Sequence, residues 1–152
     1  MYEKVGNIIK TAQQSNTAVI AFICMDHIMA RSVVYAAEAT NTPAIVMLYP
    51  EHVTVQHTTG FEEYATMVKE LASQVKVPIG LHCDHDYTYE AIMTTIRSRF
   101  GSVMIDGSMN DLDTNIALTK KVVEAAHKSD VFVEGEIGHV GTAADSDNDK
   151  TD

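Results

Sequence analysis

Five times along this chain a short apolar run is followed or preceded by a longer segment of helical periodicity. That alternation constrains the fold more than any other feature. Apolar runs of roughly four to eight residues read as strands buried on both faces, and helices between them make the strands parallel. The runs are 18–24 (AVIAFIC), 44–48, 77–86 (VPIGLHCDHD), 102–106 and 131–137. Helices are predicted over 26–40, 61–75, 88–98 and 111–128, the last with Ile116, Leu118, Val122, Val123 and Ala126 as its apolar stripe, and a short leading helix over 3–15. Asp26 fits the N-cap of the helix over 26–40, and Asn41-Thr42-Pro43 ends it. Gly101 is expected to close the helix over 88–98, and 50–60 reads as a polar loop. No linker or composition shift divides the chain. The expectation is an α/β fold of the β/α TIM-type barrel kind, of which 152 residues cover the first five β/α units. Residues 1–141 form that barrel part, and 142–152 an acidic mobile loop.

Strand parity then picks out candidate site residues. Side chains alternate between the faces of a strand. Over 77–86, Ile79, Leu81 and Cys83 share one face, and Gly80, His82 and Asp84 the other. Over 102–106, Val103 and Ile105 oppose Ser102, Met104 and Asp106. Over 131–137, Val131, Val133 and Ile137 oppose Phe132, Glu134 and Glu136. One face is apolar throughout, while the other carries His82 and four carboxylates near the strand ends. In β/α barrels chemistry sits at the carboxyl ends of strands. Clustered carboxylates repel one another, and a divalent cation is the simplest thing that makes them tolerable. His85 turns into the top loop, where it is placed as a metal ligand. His82 alone fits a satisfied interior histidine. Asp106 fits equally an Asx cap on the turn Gly107-Ser108. No Lys or Arg falls within the last three strands to pair with Glu134.

Composition excludes some functions. A formal net charge of −10 argues against a nucleic-acid partner, because a phosphate backbone needs a basic surface. No apolar run approaches the ~20 residues of a membrane span, and the N-terminus lacks the apolar run of a signal peptide. The expected setting is the cytoplasm. Cys24 and Cys83 lie in apolar runs and read as small buried hydrophobes.

The segments VPIGLHCDHD, SVMIDGSMNDLDTNIALTKKVVEAAH and VFVEGEIGHVG resemble the zinc-dependent class II ketose-bisphosphate aldolases, which include fructose- and tagatose-bisphosphate aldolases. The likeness runs in register from about Ala18 to Gly141 and covers the N-terminal half or so of a family member. It implies a β/α barrel that cleaves a ketose 1,6-bisphosphate into glycerone phosphate and glyceraldehyde 3-phosphate. On that resemblance Asp84 is the catalytic acid/base at the C4 hydroxyl. His85 is the first ligand of a Zn2+ ion, and Asp106 and Glu136 hold the metal in a more buried position. The family's other two histidine ligands and its phosphate loops lie past Asp152, so the chain is expected to be a fragment. Implied partners are a sugar-phosphate substrate and further copies in a homo-oligomer, dimer or tetramer.

Three departures stand out. Ile23 replaces the family's usual Asn, Tyr49 a small polar residue, and Ala144 the loop glutamate. They motivate an alternative, a diverged non-catalytic aldolase-like subunit that assembles with a partner. A further alternative is another phosphate-binding barrel enzyme that shares only the architecture. The tail DSDNDKTD has calcium-loop spacing but lacks the central glycine, so a solvated lid loop is the expectation.

Overall fold

The structure, a computed structural model, describes residues 1–54 and 59–138. Five strands, β1 (Ile20–Ile23), β2 (Ala44–Leu48), β3 (Ile79–Asp86), β4 (Ser102–Ile105) and β5 (Phe132–Gly135), form one sheet. Every pairing is parallel, and the spatial order follows the chain order, β1-β2-β3-β4-β5. An open doubly wound sheet would reverse its order at a switch point. A sequential order without reversal is that of a barrel wall. Residues 142–152 lie outside the described part.

The helices are α1 (Val5–Gln14), α2 (His27–Thr40), α3 (Glu51–Thr54), α4 (Phe61–Ser73), α5 (Tyr89–Arg97) and α6 (Leu112–Ala126). The starts of α2, α5 and α6 are set by short polar side chains. Asp26 accepts from the Met29 N–H at 2.8 Å, Thr88 from Ala91 at 3.2 Å, and Asp111 from Thr114 at 3.0 Å. Each satisfies one orphan amide of a first turn. Asn41 ends α2 in the left-handed region at φ 50°, ahead of Pro43. Two expectations are corrected here. Residues 51–54 form the short α3 within the stretch read as loop. The helix expected to be closed by Gly101 ends earlier, at Arg97, and Arg99 turns the chain in the left-handed region at φ 69°. Gly101 is needed for another reason, since a Cβ there would collide with the Tyr2 hydroxyl.

The main core lies between the sheet and α2, α4, α5 and α6. Val46, Leu81, Cys83, Val103 and Ile105 face it from the strands and are fully buried. Val34, Val68, Ile92 and Val122 meet them from the helices. Tyr64 crosses this layer and donates its hydroxyl to the Cys24 carbonyl at 2.6 Å, tying the end of β1 to α4. The opposite face is concave and open. Helix α1 closes its lower end, at the start of the strands. A side chain on Gly80 would stand 2.9 Å from Val5 and 3.2 Å from Ile8, so only glycine admits α1 there.

Candidate active site

Strict alternation would send Asp84 and His85 to opposite faces of β3. The register shows why it does not. Cys83 pairs with Val103 and Asp86 with Ile105, so β3 holds one residue more than β4 over this stretch. That is a bulge, and bulges re-aim side chains at strand ends. Both Asp84 and His85 therefore line the concave cavity, of about 770 Å³. Asp86 turns to the helix side, where it is buried and accepts from the Thr95 hydroxyl at 3.2 Å. Asp106 follows β4 and Glu136 follows β5, so both sit on the carboxyl-end rim, as parity predicts.

The four predicted site residues come together. His85 Nδ1 lies 2.9 Å from Asp106 Oδ2 and 3.7 Å from Glu136 Oε2, and His85 Nε2 lies 3.9 Å from Asp84 Oδ1. One ligand atom each from His85, Asp106 and Glu136 fall within 4.8 Å of one another. Asp106 serves both readings of the sequence. Its Oδ1 accepts from the Ser108 N–H at 3.0 Å, the Asx turn, while its Oδ2 faces His85.

The electrostatics follow from this crowding. Burial pushes the His85 imidazole down, but the Asp106 hydrogen bond and the charges of Asp84, Asp106 and Glu136 outweigh it and raise it overall. Burial pushes Asp106 up, and the Ser108 hydrogen bonds with His85 more than offset it, leaving the carboxyl lowered. Glu134 is raised, by burial first and then by Asp84 and Glu136, against a smaller lowering by His85. Among the described residues that line the cavity none is Lys or Arg. One imidazole and two carboxylates, hydrogen-bonded from below and lacking a protein cation, fit a divalent metal ion.

Sequence reasoning missed three contributors. Asn115 on α6 is buried, donates to the Glu136 carbonyl at 2.7 Å and accepts from the Thr119 hydroxyl at 3.1 Å. It packs so closely on Gly107 that a Cβ there would collide with it. The signal was a polar residue beside the apolar stripe; Ile116, read as part of that stripe, is exposed. Ser102, placed on the inner face by parity but given no role, holds His82. Tyr87, like Tyr49, lines the cavity. Of the departures, Ile23 and Tyr49 both line the cavity, while Ala144 lies outside the described residues.

A helix-backed parallel sheet in barrel order, with an acidic cluster and a histidine at its carboxyl rim, defines part of a β/α-barrel protein whose rim residues could hold a metal ion. Comparison with known proteins makes this specific. The family model described as fructose-bisphosphate aldolase class-II matches residues 3–152, and the chain belongs to that family. The fructose-bisphosphate aldolase of Thermus caldophilus is 35% identical over 133 residues, which are 88% of this chain and 42% of that protein. The 6-phospho-5-dehydro-2-deoxy-D-gluconate aldolase of Halalkalibacterium halodurans is 36% identical over 140 residues, 91% of this chain and 48% of that protein. The crystal structure of the YdjI aldolase from Escherichia coli K12 superposes with a TM-score of 0.83 at 28% identity, covering 93% of this chain and 54% of that one. A putative fructose-1,6-bisphosphate aldolase from Coccidioides immitis, 22% identical with a TM-score of 0.82, shares the fold. The chain thus spans less than half the length of these two curated relatives.

Proposed function

We propose that this chain carries the acid/base and part of the metal site of a zinc-dependent aldolase that cleaves a phosphorylated ketose. The observation that carries this reading is the His85–Asp106–Glu136 cluster, with Asp84 beside it on the same bulge. The two relatives named above differ in printed substrate but share the breaking of an aldol carbon–carbon bond in a sugar phosphate. Of such substrates we favour a ketose 1,6-bisphosphate, giving glycerone phosphate and glyceraldehyde 3-phosphate.

Each residue has a definite task. His85, Asp106 and Glu136 would hold the cation, a Zn2+ ion. When bound, such a cation supplies Lewis acidity at a carbonyl oxygen. Asp84 is a carboxylate fixed on the cavity wall, mostly shielded from solvent. It is placed to take the proton of the hydroxyl next to the breaking bond and to return it in the reverse direction. Asn115 holds the backbone that carries Glu136, and the Ser108 amide holds Asp106. Such outer contacts orient ligands and keep them in place. The setting we infer is the cytoplasm, and the assembly a homo-oligomer. Among the described residues no helix is long and apolar enough to cross a membrane.

One observation favours a second reading, a non-catalytic subunit. The β1–β2 side of the cavity is apolar where it carries Ile23, with Tyr49 at its rim. Zinc content after dialysis, together with an aldol-cleavage assay, separates the two. The enzyme reading expects bound zinc and released triose phosphate; absence of both supports the subunit. Asp84→Ala should lower cleavage by at least about 10²-fold, the scale of a lost general base, with zinc retained. Cleavage that survives this substitution would remove Asp84 from the mechanism.

A further inference from the structure

Below the rim, the inner face holds a buried donor without a partner. His82 is 4% exposed and Ser102 beside it fully buried. His82 Nδ1 lies 2.7 Å from Ser102 Oγ. Its Nε2 is buried and has no hydrogen-bond partner among the described residues, though His82 lines the cavity. Glu134 Oε2 lies 3.5 Å away, on a side chain that is 55% exposed. Burial, and then the nearby His85, push the His82 imidazole down to about 4, so it is neutral at pH 7. A neutral ring carries one hydrogen. A nitrogen this close to a carboxylate oxygen is the one that carries it, because two lone pairs would repel. Nδ1 is then the acceptor, and the Ser102 hydroxyl donates to it.

We propose that the His82 Nε2–H and the Glu134 carboxylate form a hydroxyl subsite in the floor of the cavity, selecting a polyhydroxy ligand. A hydroxyl accepts from the N–H and donates to the carboxylate at the same time. Glu134, on a side chain that is 55% exposed, has room to swing back from the covered Nε2 and admit a hydroxyl oxygen about 2.8 Å from each atom. An ether or ketone oxygen satisfies His82 and offers Glu134 nothing. Glu134 is free for this role, since it lies outside the cation cluster of His85, Asp106 and Glu136. The inference rests on the proposed function for the ligand being a sugar phosphate, and adds that one sugar hydroxyl is held by protein rather than by the cation.

The test needs neither metal nor turnover, so it can fail while the aldolase reading stands. The full chain is labelled with 15N-histidine, and the His82 signals are assigned by their loss in His82→Gln. We expect the Nε2–H tautomer at pH 7. Erythritol should shift the His82 Nε2 signal saturably, and 1,2-dimethoxyethane, which accepts but cannot donate, should not. In Glu134→Leu the erythritol response should be lost while the Ser102-bonded Nδ1 signal stays in place, showing an intact fold. Ser102→Ala should populate the Nδ1–H tautomer and weaken erythritol at least fivefold. An Nδ1–H tautomer in the wild-type chain, an equal response to the ether, or an erythritol response that survives Glu134→Leu would each overturn the subsite. Failure of the aldolase reading has a different signature: no bound zinc and no triose phosphate, with the erythritol response intact.

Discussion

The inner face of the sheet is two surfaces on one pleat. On β1 and β2 the inward positions are Ala21, Ile23, Ile45 and Met47, with Tyr49 at the rim. On β3 to β5 they are His82, Asp84, Asp106, Glu134 and Glu136, with Met104 the one apolar member among those lining the cavity. The strands run in register, so Ile23, Met47 and His82 sit side by side at one height. Same backbone, same height, opposite chemistry. On the outer face of the middle strands no such difference exists: Val46, Leu81 and Val103 are all fully buried, while Phe22 on the β1 edge is 39% exposed. Packing therefore dictates the helix side from β2 to β4, while the cavity side is free to be apolar wall on one half and acidic rim on the other.

Truncating each face tests that contrast most strongly. Leu81→Ala removes a fully buried side chain between sheet and helices, and should cost about 2–5 kcal/mol. Met47→Ala, one strand over on the partly open cavity side, should cost less than about 1 kcal/mol. Urea denaturation of both variants is the measurement. Equal losses would mean that the concave face is packed as tightly as the helix side.

A smaller effect separates the acidic half from its support. Gly107→Ala would drive Asn115 from its place, and Asn115→Ala would remove its bond to the Glu136 carbonyl. Neither change touches a ligand atom. Loss of such an outer contact typically weakens metal binding about 10–100-fold. Zinc affinity by competition with a chelator should fall in that range for both variants and stay unchanged in Ile23→Ala, on the apolar half. A drop of the same size in Ile23→Ala would erase the distinction between the halves.

The outer face of the middle strands was legible in the sequence because it is buried throughout. Full burial favours apolar residues, and they alternate strictly at Ile79, Leu81 and Cys83. The rim was half legible. Parity put Asp84, Asp106, Glu134 and Glu136 on one face, because β4 and β5 obey it. His85 reached the cluster through an extra residue in β3, which no alternation rule anticipates and which only the register with β4 reveals. Asn115 was hidden for a different cause. Its burial depends on how α6 is rotated about its axis, and Ile116, 56% exposed, points the other way from the expected stripe. Partners that act across a gap in sequence, such as Ser102 on His82 or Asn115 on Glu136, leave no local mark at all.

The smallest effect concerns pH and distinguishes His82 from the apolar residues at its height. Its folded imidazole is held at about 4, against the ~6.5 of an unfolded chain. Between those values the unfolded state binds the proton and the folded state does not. Stability is therefore complete above pH 6.5, declines as pH falls, and stops declining near pH 4. At pH 5 the loss is on the order of 1–2 kcal/mol. Asp86, on the helix side of the same strand, works in the opposite sense. Burial raises its carboxyl to about 6, so protonation favours the folded state between roughly pH 6 and 4. The two partly cancel in the wild-type chain, and the comparison must be made as a difference. Subtracting the urea stability of the wild-type chain from that of His82→Gln at pH 7.5, 6 and 5 should leave a gap that shifts in favour of the variant as pH falls. A gap that stays constant would mean that His82 charges as readily inside the cavity as outside it, and that the acidic half has no dry floor beneath it.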